Sequence, residues 1–249
     1  MDGTVVLYAR AADGVATLTL NRPEARNALN TAMAEALAAA AGRAAAEDAR
    51  LVLLRARGPV FGAGADLKER RGMTDDAVRA RRLKGFAAYE AIERLPMPSV
   101  AVVEGPAVGS GVEMAAACDF VVATPAASFR TPEALWGTVG ATQRLPRVLG
   151  RRLAKDLMLT GRTLTAEEAL AHGLVARLVP AEALDATLAE IAAAIVKAPP
   201  AALRLAKRCI DEGAERDPRG ALATELMAVE ESLAAAEWRG AMAGFGAEG

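Results

Sequence analysis

Two acids, Glu113 and Glu133, stand near inferred helix starts, one after a glycine-rich stretch and one after Pro132. Paired carboxyl groups are what adding water across a conjugated double bond requires. One orients and deprotonates the water, and the other delivers a proton to the α-carbon. Each acid also has a plainer use. Ser110-x-x-Glu113 has the spacing of a capping box, and Glu133 suits the first turn of any helix. Two small-residue loops accompany the acids, "GPVFGAGADLKE" at 58–69 and "EGPAVGSGVEMAAACD" at 104–119. Each leaves an apolar strand and opens a helix. Glycine permits close backbone approach, and the free amides of a helix start favour negative charge. Two such loops together can point two amides at one oxygen, as needed when a thioester carbonyl becomes an enolate. Spacing does not tell whether the loops meet. Alone, the first loop also fits a tight turn, or a dinucleotide contact through Gly62-Ala63-Gly64. The dinucleotide fingerprint lacks its third glycine and its acidic strand end.

Composition narrows the field. The 249 residues are 53% hydrophobic and 24% charged, with a formal net charge of −1, which suits one sizeable core and no bulk attraction to nucleic acid or anionic membrane. One histidine, His172, and two cysteines, Cys118 and Cys209, leave almost no ligands for zinc or haem and no disulfide framework. His172 precedes Gly173, where a helix C-terminus accounts for it better than catalysis does. No secretory signal is visible near the start and no apolar run reaches spanning length, so the cytoplasm is the expected location.

The elements that must carry these residues follow from pattern. Strands are expected at 4–9 and 15–20 around Asp13-Gly14, then a helix from 31 to 47 capped by Asn30 or Thr31, then a strand at 51–56. A charged helix over roughly 75–94 ends at two prolines, and 99–103 is apolar enough for a strand buried on both faces. A short helix at 111–118 leads to a strand at 119–124. Thr165 and Glu168 form a capping box, and "LVARLV" at 174–179 reads as a last strand. Beyond it, Leu184, Leu188, Ile191 and Ile195 mark one helix face, and Leu222, Leu226, Val229 and Leu233 another, the second started by Asp217-Pro218. The order is that of an α/β fold with a helical tail.

Five pieces in order, "NRPEARNALN" (21–30), "FGAGADLKE" (61–69), "AVGSGVEMAAACD" (107–119), "TPEALWGTV…TQRLPRVLG" (131–150) and "LTGRTLTAEEALAHGLVARLVP" (159–180), resemble the crotonase, or enoyl-CoA hydratase/isomerase, superfamily. The resemblance implies a spiral of ββα units over 1–190 carrying an acyl-CoA site. It also implies a helical region over 191–249 that assembles trimers or dimers of trimers. It places oxyanion amides at Ala65 and Ser110 and the two hydratase acids at Glu113 and Glu133. Ala63, Asp66, Leu67 and Lys68 fall where the family grips CoA, with Lys68 as a phosphate contact. No metal or redox cofactor is implied, since CoA arrives with the substrate, and no nucleic-acid or membrane partner is expected.

Hydration of a 2-enoyl-CoA to the 3-hydroxyacyl-CoA is the implied reaction. The alternatives are other enolate chemistry at the same site (methylglutaconyl-CoA hydration, isomerisation, hydroxyacyl- or carnitinyl-CoA dehydration, thioester hydrolysis) or a non-catalytic RNA-binding or assembly role. Three departures accompany the resemblance. Ser110 stands where glycine is usual, "WGTVGATQRL" at 136–145 is a few residues shorter than in many hydratases, and "AEWRGAMAGFGAEG" at 236–249 lacks the family's basic ending. Residues 68–84 hold seven basic and three acidic side chains. They suit a solvated helix face beside CoA phosphates better than an RNA surface, which would want aromatic stacking partners.

Overall fold

The computed structural model describes residues 4–235 and 239–240. With elements numbered in chain order, the main sheet contains β1 (Val6–Arg10), β2 (Val15–Leu20), β3 (Leu51–Ala56), β4 (Ser99–Val103), β6 (Phe120–Ala123) and β9 (Arg177–Leu178), side by side in that order. β1 and β2 are antiparallel across a turn in which Gly14 has φ +89° and Asp13 accepts from the Val15 amide. Every later pairing is parallel. A second sheet joins β5 (Pro106–Val108), β7 (Ser128–Arg130) and β8 (Thr163–Thr165). Its strands are three residues each, too short for alternation to show in the sequence. "LVARLV" gives a two-residue β9, because Leu174 and Val175 enter the core ahead of it.

β3 and β4 are buried on both faces, and their period of two sorts the core. Val52, Leu54, Ala101 and Val103 face α1 (Thr31–Ala46), α3 (Asp75–Glu93) and α4 (Ser110–Ala116). Leu51, Leu53, Val100 and Val102 face α7 (Leu184–Lys197) through Leu184, Leu188 and Ile191. α7 thus belongs to the core, and a division at 190/191 falls inside it. α1 begins where Asn30 accepts from the Met33 amide, and α6 (Ala166–Ala171) carries the capping box of Thr165 and Glu168.

The remaining elements are α2 (Leu67–Arg70), α5 (Arg144–Thr160), α8 (Pro200–Ala214) and α9 (Pro218–Ala235). Asp217 caps α9 through the Arg219 and Gly220 amides, as its sequence suggests. The apolar face does not turn inward. Thr224 and Ala228 are the buried positions, and Leu222, Leu226, Val229 and Leu233 are exposed. Most of the final stretch, 236–249, lies outside the described residues.

Asn27 explains why "NRPEARNALN" matters. It is buried at 1% exposure with φ 52°. Its side-chain oxygen accepts from the Arg22 amide at 2.9 Å, and its Nδ2 donates to the carbonyls of Arg57 (2.9 Å) and Val60 (2.7 Å). One side chain therefore ties the turn after β2 to the strand exit that feeds the first glycine loop. Asn27→Ala leaves three backbone groups without these partners. At about 1–3 kcal/mol for each buried unsatisfied group, the expected loss in urea unfolding is at least about 3 kcal/mol.

Candidate active site

The two glycine loops meet. The first is held on both sides, with Gly62 bridged to Ala107 and Ala65 to Leu29. The Val108 amide donates to the Gly62 carbonyl at 2.7 Å, and the Leu29 amide to the Gly64 carbonyl at 2.8 Å. A side chain on Gly111 would place Cβ 2.5 Å from the Gly62 oxygen, so the second loop touches the first through bare backbone. Ala65 and Ser110 consequently line one cavity of about 490 Å³ together with Glu113 and Glu133. Among the described residues neither the Ala65 nor the Ser110 amide donates to another group of the chain.

The serine in place of glycine is accommodated simply. Gly109 takes the demanding conformation, φ 50° and ψ −109°, and Ser110 begins α4 with no positive φ. Ser110 is therefore the first helical residue and not the cap, and it makes no capping hydrogen bond. The capping-box explanation of Glu113 fails for that reason. Its carboxylate instead meets Arg144, with Nη1 3.0 Å from Oε2.

Glu133 opens a 3-10 turn, Glu133–Trp136, and lies between two glycines. A Cβ on Gly109 would fall 2.5 Å from Glu133 Oε1, and one on Gly140 would fall 3.0 Å from its Cγ. Its Oε2 is buried without a hydrogen-bond partner among the described residues. Burial pushes both carboxyl groups above the usual range, but their surroundings differ. The charge of Arg144 and its hydrogen bond oppose the rise at Glu113. At Glu133 the opposing contribution comes first from its own backbone amide, the neighbouring Glu113 adds to the rise, and Arg82 gives the smallest contribution. Tyr89 completes the wall, its phenol pushed up to about 12 chiefly by burial.

The proposed CoA positions separate into two groups. Ala63 and Leu67 line the cavity. Asp66 is buried and engaged internally, capping α2 through the Lys68 and Glu69 amides and pairing with Arg22 at 3.0 Å. Lys68 is exposed and does not line the cavity, whereas Arg26, Arg70, Arg81 and Arg82 do. The run at 68–84 displayed its cations without telling which turn inward, and sequence reasoning missed these four. Within it, Arg79, Arg81, Arg82 and Lys84 all bond to other groups of the chain.

The sequence model of the enoyl-CoA hydratase/isomerase family matches residues 10–248. The chain belongs to this family. It is 36% identical to the short-chain-enoyl-CoA hydratase of Clostridium acetobutylicum, over 93% of this chain and 90% of that protein. It is also 36% identical to an enoyl-CoA isomerase/hydratase of Mycosarcoma maydis, over 93% and 89%. The crystal structure of an enoyl-CoA hydratase from Bacillus anthracis superimposes with a TM-score of 0.94 at 35% identity, covering 98% of this chain and 96% of that one. The α/β architecture with its helical C-terminal region is thus the crotonase fold.

Between the Glu133–Trp136 turn and α5 lies the segment 137–143. Arg82 clamps it, donating to Thr138 Oγ1 at 3.1 Å and to the Val139 carbonyl. The segment then runs past Gly140 into Arg144. The slot for Glu133 depends on Gly109 in two ways, by its backbone angles and by its missing side chain. Gly109→Ala is expected to cost about 1–3 kcal/mol in strain and to drive the Glu133 carboxyl from the slot. Urea unfolding and a crystal structure of the variant check both.

Proposed function

We propose that this family member hydrates 2-enoyl-CoA thioesters reversibly to 3-hydroxyacyl-CoAs. The observation that carries the reading is the placement of two carboxyl groups, Glu113 buried and Glu133 half-buried, with contrasting electrostatics, in one cavity walled by the paired loops. The Ala65 and Ser110 amides polarise the thioester oxygen and stabilise the enolate that forms. Glu113, held by a cation, is the base that takes a proton from water. Glu133, which pairs with no cation among the described residues and whose Oε2 is buried without a partner there, carries the proton for the α-carbon. Exchange of roles on the reverse reaction follows from microscopic reversibility. The chemistry needs no metal or redox group, and CoA enters and leaves as part of the thioester.

Double-bond isomerisation is the second reading. It requires one carboxyl group to shuttle a proton, and Glu133 with its unpartnered oxygen is suited to that. Product analysis on a panel of 2-enoyl- and 3-enoyl-CoAs separates the two. For hydration, Glu113→Gln and Glu133→Gln are each expected to lower kcat by about 10²–10⁴-fold while acyl-CoA binding persists. Hydration near the wild-type rate in both variants would overturn the assignment.

The assembly expected of the chain is a homotrimer or a dimer of trimers. Supporting it, Leu222, Leu226, Val229 and Leu233 leave an apolar stripe on α9 uncovered within one chain. Light scattering is expected to give a mass that is a multiple of 25.7 kDa, and Leu226→Glu is expected to shift it toward that of a single chain. A wild-type protein that runs as a monomer would count against the assembly.

A further inference from the structure

Arg144 meets Glu113 without lining the cavity that Ala65 and Ser110 wall. It is the first residue of α5, and its side chain is only 14% exposed. Nη1 pairs with Glu113, Nη2 pairs with Glu93 on α3, and the guanidinium carbon lies 5.7 Å from the centre of the Tyr89 ring. Three neighbours thus fix the fork. Glu113 Oε2 is committed to Arg144, so only the other oxygen is left for the cavity that Glu113 lines. Arg144 itself borders a second hollow behind Glu113, together with Arg147, Lys207 and Asp211. The segment clamped by Arg82 at Thr138 and Val139 leads directly into α5.

We propose that Arg144 is a positioning residue: anchored on Glu93, it decides which oxygen of Glu113 faces the substrate and keeps that group a base. This rests on the hydration reading above. The charged and titratable groups around Glu113 come from every packed element. α3 contributes Tyr89 and Glu93, with Arg82 further along, and α5 contributes Arg144 and Arg147. The 3-10 turn contributes Glu133, and α8 contributes Lys207 and Asp211 across the rear hollow. Arg144 alone among these is the source that favours the charged form of Glu113, and Glu93 acts in the opposite sense. A base must be deprotonated to work, so removing the cation moves the onset of activity to higher pH. Removing the Glu93 charge moves it to lower pH.

The test is kcat/KM against pH for the wild type, Arg144→Met, Arg144→Lys and Glu93→Gln on the enoyl-CoA turned over fastest, with urea unfolding alongside. Arg144→Met is expected to raise the acid limb by about 1–3 pH units. Arg144→Lys should restore part of that displacement, and Glu93→Gln should shift the limb downward. A purely structural arginine would lower stability and leave the limb in place. An unmoved limb in Arg144→Met and Glu93→Gln, with wild-type hydration intact, overturns the proposal and spares the hydration reading. A wild type inert on the whole panel overturns both. If Arg144→Met does not fold, Arg144→Lys and Glu93→Gln decide the matter, and an unmoved limb in both is fatal.

Discussion

The contact on which the site depends is between two stretches of bare backbone. Gly111 lies so close to the carbonyl of Gly62 that no Cβ fits between them. That closeness brings two strand exits, almost fifty residues apart in the chain, to one cavity wall. The rest of the fold maintains the approach. β3 and β4 are parallel neighbours buried on both faces, so the loops that leave them start from fixed points. Asn27 holds the first exit to the turn after β2, and the bridge from Gly62 to Ala107 stitches it to the small sheet. A side chain at either glycine would push the two loops apart.

Much of this was legible in advance for a physical reason. Elements with a strong local signature came through: the Asn30 cap of α1, the Thr165 capping box, the doubly buried β3 and β4, and the Asp217-Pro218 start of α9. The second sheet was not legible, because three-residue strands paired at long range have no periodicity to detect. The apolar face of α9 was seen but its direction was not, since periodicity shows that a face exists and not what covers it. In the site, glycine spacing suggested that both loops mattered, and the family's motifs supplied the residues. The capping box at Ser110 failed because Gly109 adopts angles open to glycine alone and takes the cap position itself. Arg144 escaped notice altogether. It lay within the quoted 131–150 piece, but an arginine in a motif does not tell which acid it will meet.

Burying two carboxyl groups in one cavity is costly unless each finds a different solution. Were both paired with cations, both would stay charged and neither would carry a proton. Were both left without partners, both would tend to be neutral and neither would accept one. The chain avoids both outcomes by geometry. α5 begins beside α4, so Glu113 receives a guanidinium, while the Gly109–Gly140 slot admits Glu133 and offers its Oε2 no donor. The difference between the two acids therefore originates outside the acids, in one arginine at the start of α5 and the absence of two side chains. The electrostatic asymmetry is a property of the surroundings, and the identities of Glu113 and Glu133 alone do not determine it.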